Sequence, residues 1–205
     1  GEGRVLDGDD VLLLWALELE REGKRPDAVV GTVMSNWGLE SALSARGIRL
    51  LRASVGDRYV VEEMERVGAL LGGEQSGHLI RADLTTTGDG TLTGLHVAAS
   101  VAATRVPLAA GPRLTRAPQV LLNVEVREKV PFHAIPGFPG LMSRAEERIA
   151  GSGRILVRYS GTELLARVMV EGTEGRDVEA IAGELAGAIR DAVGATPAAS
   201  DEVSP

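Results

Sequence analysis

Asp27-Ala28-Val29-Val30-Gly31-Thr32-Val33-Met34 is a short, almost wholly apolar run. Its length and β-branched residues fit a strand buried on both faces. Ser35-Asn36 can cap the helix that follows, Trp37 to Ala45, which ends at Gly47. Ile48 to Val55 reads as a second strand. Gly56-Asp57-Arg58 then turns the chain into a helix from Tyr59 to Val67. Ala69-Leu70-Leu71 opens a third strand, which leads into Glu74, Ser76 and His78. Strand-helix-strand-helix-strand over 27–78 is the pattern of an open α/β sheet. Such sheets bind ligands at the carboxyl ends of their strands. Met34-Ser35-Asn36, Gly56-Asp57-Arg58 and Glu74-Gln75-Ser76 all fall there, so three loops are expected to converge on one rim.

Working outward, Asp7-Gly8-Asp9-Asp10 precedes the apolar run from Val11 to Leu19. Acids before such a run start a helix, because they cap it and complement its dipole. Capping accounts for the cluster without a metal. On the other side, Leu79 to Leu84 reads as an antiparallel strand. Thr85 to Gly90 forms a turn into a helix through Ala102, whose small residues suit close packing on the sheet. Pro107 to Pro112, with two prolines and a glycine, breaks the pattern. Beyond it come a half-exposed strand (Val120 to Val126), a Pro- and Gly-rich loop (130–140) and a helix (Leu141 to Ala150). Two strands, Arg154 to Arg158 and Leu164 to Glu171, and an amphipathic helix from Asp177 to Val193 complete a small α+β module. The expected class is α/β: a three-layer α/β/α domain followed by that module.

The bulk numbers exclude several functions. The 205 residues allow one or two domains, and 44% hydrophobic residues allow real cores. A net charge of −7 argues against nucleic acid or an anionic membrane surface as the main partner. No run approaches the ~20 apolar residues of a membrane span. Absence of cysteine removes disulfides, thiolate metal sites and cysteine nucleophiles, and fits a reducing cytoplasm.

Two stretches carry chemistry. In Gly73-Glu74-Gln75-Ser76-Gly77-His78, a carboxylate, a hydroxyl and an imidazole stand at every second position. Glu74 can accept bonds from neighbouring hydroxyls of a polyol, Ser76 can donate or accept, and His78 can also move a proton. That set suits a sugar; a tight polar turn satisfying its own backbone uses the same residues. In Arg158-Tyr159-Ser160-Gly161-Thr162, an arginine fork, two hydroxyls and glycine-freed N–H groups suit a phosphate. A hairpin loop with local Ser and Thr bonds is the alternative. Together the two loops describe a sugar phosphate.

These residues resemble a known family. Gly73 to His78 followed by Thr86-Thr87-Gly88-Asp89-Gly90, and Arg158-Tyr159-Ser160-Gly161-Thr162-Glu163 followed by Arg167-Val168-Met169-Val170-Glu171, are similar to the bacterial phosphoglucosamine mutases of the α-D-phosphohexomutase superfamily. Gly31 to Asn36 and Val55 to Val60 fit the same pattern. The resemblance implies a four-domain cytoplasmic enzyme that interconverts glucosamine 6-phosphate and glucosamine 1-phosphate on the way to cell-wall precursors. A phosphoserine donates its phosphoryl group, a bisphosphate intermediate reorients, and an Asp-rich loop holds magnesium. By the same resemblance Glu74 and Ser76 bind sugar hydroxyls, with His78 beside them as a proton carrier. Arg158, Ser160, Gly161 and Thr162 grip the non-transferring phosphate, and Asp57 and Arg58 stand on the rim. Arg167 fits the pattern too, but reads as a structural strand arginine.

Tyr159 and Leu164 depart from the family, which usually has proline or a small residue at the first position and proline at the second. Both changes are expected to loosen the loop. Neither the serine loop nor the Asp-Gly-Asp-Gly-Asp-Arg loop occurs in the sequence. The chain therefore reads as a C-terminal portion. Residues 1–24 would end domain 2 and 25–107 form domain 3. Residues 108–117 would be a linker, 118–195 a domain 4 like the TATA-binding protein, and 196–205 a disordered tail. Its expected partners are a sugar phosphate and the missing N-terminal domains. A phosphomannomutase or phosphoglucomutase portion, or a sugar-phosphate binding module without catalysis, are the alternatives.

Overall fold

The computed structural model describes residues 3, 5–173 and 175–194. The expected tail at 196–205 lies outside them. The chain divides into two compact units, one through Arg116 and one from Ala117.

In the first unit, β1 (Ala28–Thr32), β2 (Arg49–Ala53), β3 (Leu71–Gly73) and β4 (Leu79–Arg81) form one sheet in the order β2-β1-β3-β4. β1 pairs in parallel with both β2 and β3, and β4 is an antiparallel edge. β1 is buried along its whole length. Its alternating side chains feed two different cores, as strand geometry requires. Val29 joins Leu12, Trp15 and Leu19 of α1 (Gly8–Arg21) and Leu39 and Leu43 of α2 (Trp37–Ser44). Val30 joins Val60 and Met64 of α3 (Asp57–Val67) on the opposite face. Each fully buried side chain of this size stabilises the fold by about 1.5–3 kcal/mol. Helices on both faces give the α/β/α layering.

Three details differ from the sequence reading. α1, read as the end of a preceding domain, packs into this first core through Leu12, Trp15 and Leu19. Leu114, read as linker, is buried in the same core. The helix after Asp89, α4 (Gly90–Thr104), buries only Ser100. Gly94, Ala98, Ala99, Ala102 and Ala103 are exposed rather than packed on the sheet. Polar bonds hold α4 instead. Ser100 Oγ donates to Glu18 Oε1 at 2.6 Å, and Arg81 Nη1 donates to His96 Nε2 at 2.7 Å.

The second unit is a three-stranded antiparallel sheet, β5 (Gln119–Glu125), β6 (Gly153–Tyr159) and β7 (Leu165–Gly172), in the order β5-β7-β6. α5 (Phe138–Ile149) and α6 (Gly175–Val193) pack on one face, where Ala166, Val168 and Val170 meet Ile181, Leu185 and Ile189. Residues of opposite parity on β7, Arg167 among them, therefore lie on the other face.

α1 begins with its capping box: Asp7 accepts from the N–H groups of Asp9 and Asp10, and Asp10 accepts from the N–H of Asp7. Asp9 is fully buried and accepts from the N–H of Asn36 at 2.8 Å. Burial pushes its carboxyl from the ordinary 3.8 up to about 6, against the opposing pull of that hydrogen bond. Folded Asp9 thus holds its proton to higher pH than an unfolded aspartate does. The contribution of Asp9 is fully present below about pH 4 and is lost as pH rises through about 6, by up to ~3 kcal/mol. Denaturant unfolding across that window should show the slope in the wild type and a flatter one in Asp9→Asn. Equal slopes would refute the assignment.

Candidate functional site

The three loops of the first unit do converge, through named bonds. β3 ends at Gly73, and Glu74 to Gly77 form the turn of a hairpin into β4, closed by Glu74 N–H to His78 C=O (2.9 Å) and Gly77 N–H to Glu74 C=O (3.0 Å). Glu74, Ser76 and His78 are therefore turn residues, not the end of a strand. Their every-second spacing does not place them on one strand face; Gly77, at φ +101°, reverses the chain between them. Glu74 Oε1 accepts from the N–H of Gly56 at 2.8 Å, so the carboxylate ties the β3 turn to the start of α3. Gly56 itself sits at φ +126°, which a side chain rarely adopts. Ser76 Oγ lies 3.5 Å from Glu74 Oε2 and is exposed. His78 Nε2 lies 3.7 Å from Asp57 Oδ2. Arg58, the other expected rim residue, points along α3 to Glu62 at 2.8 Å.

α1 joins the same rim from below. The N–H of Gly8 donates to Gln75 C=O at 2.9 Å, and the approach is so close that a Cβ on Gly8 would stand 2.0 Å from the Glu74 carbonyl oxygen. Asp9 holds the Met34–Asn36 loop through Asn36 N–H. The acids at this point do not suit a metal ion: Asp7 and Asp10 pair with Arg116 at 2.6 and 2.8 Å, and Asp9 binds backbone. Among the described residues no cluster of three or more acids, histidines or cysteines could hold one.

In the second unit, Arg158 and Tyr159 belong to β6, and the turn proper begins at Ser160. Ser160 is buried, and its hydroxyl is spent locally: it donates to Glu163 Oε2 (3.2 Å) and accepts from Glu163 N–H (3.3 Å). Lys129 Nζ donates to Ser160 C=O at 2.7 Å. Gly161 and Thr162 stay exposed at the tip. The Arg158 side chain makes no hydrogen bond or ion pair among the described residues. It stands directly opposite Arg167 in the β6–β7 register, and Asn123 flanks Arg167 on β5. Arg167 Nη2 reaches Glu163 at 3.1 Å, while its Nε is buried without a partner. Two like charges facing each other across strands destabilise a sheet unless an anion lies between them. Arg167 and Lys129 thus join the candidate cradle. The inward alternation of Ala166, Val168 and Val170 already implied the face of Arg167; nothing local marked Lys129. Tyr159 does not loosen the segment. Its ring stacks on Phe132 at 4.3 Å, its hydroxyl donates to Val130 C=O at 2.6 Å, and burial raises its pKa.

A largely parallel α/β/α unit with a polar rim is followed by an α+β unit with an arginine-lined turn, the order of the last two domains of a known enzyme family. The chain belongs to the phosphoglucomutase/phosphomannomutase family. Residues 7–112 match its alpha/beta/alpha domain III and residues 121–188 its C-terminal domain. It is 47% identical over 197 residues to the phosphoglucosamine mutase of Koribacter versatilis, a match covering 95% of this chain and 42% of that protein. To the phosphoglucosamine mutase of Streptomyces griseus it is 48% identical over 195 residues, covering 94% and 43%. The chain thus spans under half the length of the curated relatives it matches. The fold is also that of Aspergillus fumigatus N-acetylphosphoglucosamine mutase, solved with GlcNAc-6P and magnesium. That likeness has a TM-score of 0.72 at 22% identity, over 92% of this chain and 48% of the other. Among the described residues no helix is long and apolar enough to cross a membrane.

The Gly8 contact can be tested directly. Gly8→Ala should cost about 1–3 kcal/mol, the usual penalty for forcing atoms into a packed site, although alanine favours a helix. Thermal unfolding of the two proteins measures it. An unchanged or raised midpoint would show that α1 does not brace the turn.

Proposed function

We propose that this chain is the substrate-recognising C-terminal portion of a phosphoglucosamine mutase, acting on glucosamine 6-phosphate and glucosamine 1-phosphate. The observation that carries the reading is Arg158, without a partner among the described residues and set opposite Arg167 beside the exposed turn at Gly161 and Thr162. Such a fork binds two oxygens of one phosphate. Gly161 and Thr162 would add backbone N–H groups and a hydroxyl, while buried Ser160 shapes the turn. Glu74 and Ser76 would take sugar hydroxyls, Glu74 through the lone pairs that Gly56 leaves free. His78 would carry a proton. Asp57 and Arg58 would line the rim.

On this reading the phosphoryl donor, a phosphoserine, and the magnesium loop would belong to a part of the parent enzyme that this chain does not span. Magnesium would supply charge stabilisation there, and among the described residues no cluster of acids offers it a second seat. Phosphoryl transfer depends on positioning and electrostatics, so a chain confined to recognition turns over nothing by itself. A cysteine-free composition fits placement in the cytoplasm. The amino sugar is preferred here over mannose or glucose phosphates because the two bacterial relatives above are phosphoglucosamine mutases at 47% and 48% identity.

Calorimetric titration of the chain with glucosamine 6-phosphate and glucose 6-phosphate tests the reading. Saturable binding should favour the amino sugar and weaken roughly 10- to 100-fold in Arg158→Ala, the scale of a lost charge-assisted hydrogen bond. Binding unaffected by Arg158→Ala, or mutase turnover by the isolated chain, would contradict it. If the chain binds neither sugar, the same titration on the longer parent protein decides whether the site needs its other domains.

A further inference from the structure

The imidazole of His78 lies in a seat built by two other segments. On one side is Gly88. A Cβ there would stand 2.2 Å from His78 Nε2, 2.5 Å from Cδ2 and 2.7 Å from Cε1, so the ring lies against bare backbone. Gly88 does not have a positive φ. The requirement for glycine is therefore the ring itself, not the backbone. On the other side is Asp57. Its Oδ1 accepts from Arg58 N–H at 2.8 Å, and its Oδ2 faces His78 Nε2 at 3.7 Å. Nε2 is buried without a hydrogen-bond partner, although the side chain as a whole is 41% exposed. A buried ring nitrogen ordinarily has a partner, and a small side-chain rotation brings Asp57 within reach. The other charged groups nearby are committed: Glu74 to Gly56 N–H, Arg58 to Glu62, and Asp89 to Leu92 N–H.

We infer that Asp57 is the positioning residue of His78, fixing the neutral imidazole with its proton on Nε2 and its lone pair on Nδ1. The inference rests on the reading of His78 as proton carrier. In a neutral imidazole one nitrogen donates and the other accepts, and the partner of the first decides which. With Nε2–H held by Asp57, Nδ1 is the atom free to accept a proton from a sugar hydroxyl. The resulting imidazolium then has a carboxylate beside it. Gly88 makes the arrangement possible by leaving room for the ring within reach of Asp57.

Nitrogen-15 spectra of the imidazoles read the tautomer without any sugar phosphate, so this test stands apart from the ligand titration. The chain has three histidines, and His96 and His133 serve as internal references. In the wild type at a pH where the ring is neutral, His78 should show a protonated Nε2 and an unprotonated Nδ1. Asp57→Ala should turn this into a mixture of both tautomers, and Asp57→Glu should restore part of the preference. Gly88→Ala should lose it too, by moving the ring away. Asp57 is 59% exposed, so its variants keep the fold. A proton on Nδ1 in the wild type, or an unchanged tautomer in Asp57→Ala, would overturn the inference. Should the tautomer behave as stated while neither this chain nor the longer parent protein binds a sugar phosphate, the positioning role stands and the substrate reading falls.

Discussion

The first turn of α1 is the point on which the first unit depends. Gly8 and Asp9 sit side by side in it, and each holds a different loop: Gly8 N–H takes the Gln75 carbonyl, and Asp9 takes the Asn36 N–H. The two loops follow β3 and β1, neighbouring parallel strands, so their positions are fixed by one short helical segment. The remaining loop, after β2, is locked to the β3 turn by Glu74 and the N–H of Gly56. Only a residue without Cβ permits the first of these contacts, and the second draws a carboxylate out of water. The cost of burying Asp9 appears in its raised pKa. Packing alone would not set these loops; apolar contacts lack direction, whereas these three bonds specify atoms.

Much of this architecture was legible. Val29-Val30 announced a strand covered on both faces, and the glycines at 47 and 68 marked helix ends, both at positive φ in the structure. Asp7 and Asn36 announced caps that exist as drawn. The composition of 107–112 marked a boundary zone, but the break between units lies a few residues later, because Leu114 still returns to the first core.

What escaped the sequence reading is where competition between local and distant bonds decides. The alternation of Glu74, Ser76 and His78 looked like a strand continuing. The strand stops after three residues because Gly77 allows a reversal and β4 supplies the partner edge. The small residues of α4 looked like a packing face. The helix is held instead by the Glu18, Arg81, His96 and Ser100 bonds, which no periodicity reveals. Tyr159 looked like a loosened hinge until Phe132, 27 places earlier in the chain, came to stack on it. The candidate cradle was half visible: Arg158, Gly161 and Thr162 keep their side of the turn open, while Ser160 turned inward and Lys129 came from the loop beyond β5.

The facing guanidiniums of Arg158 and Arg167 have one more consequence. Without an anion, β6 and β7 carry a repulsion at the very row where their hairpin begins to turn, and Glu163 offsets it for Arg167 alone. Any dianion that settles there removes that repulsion as it binds, so occupancy and the integrity of the hairpin are thermodynamically linked. On the proposed reading, the integrity of this hairpin reports on a bound phosphate: the turn tightens with the anion in place and frays most readily there without it.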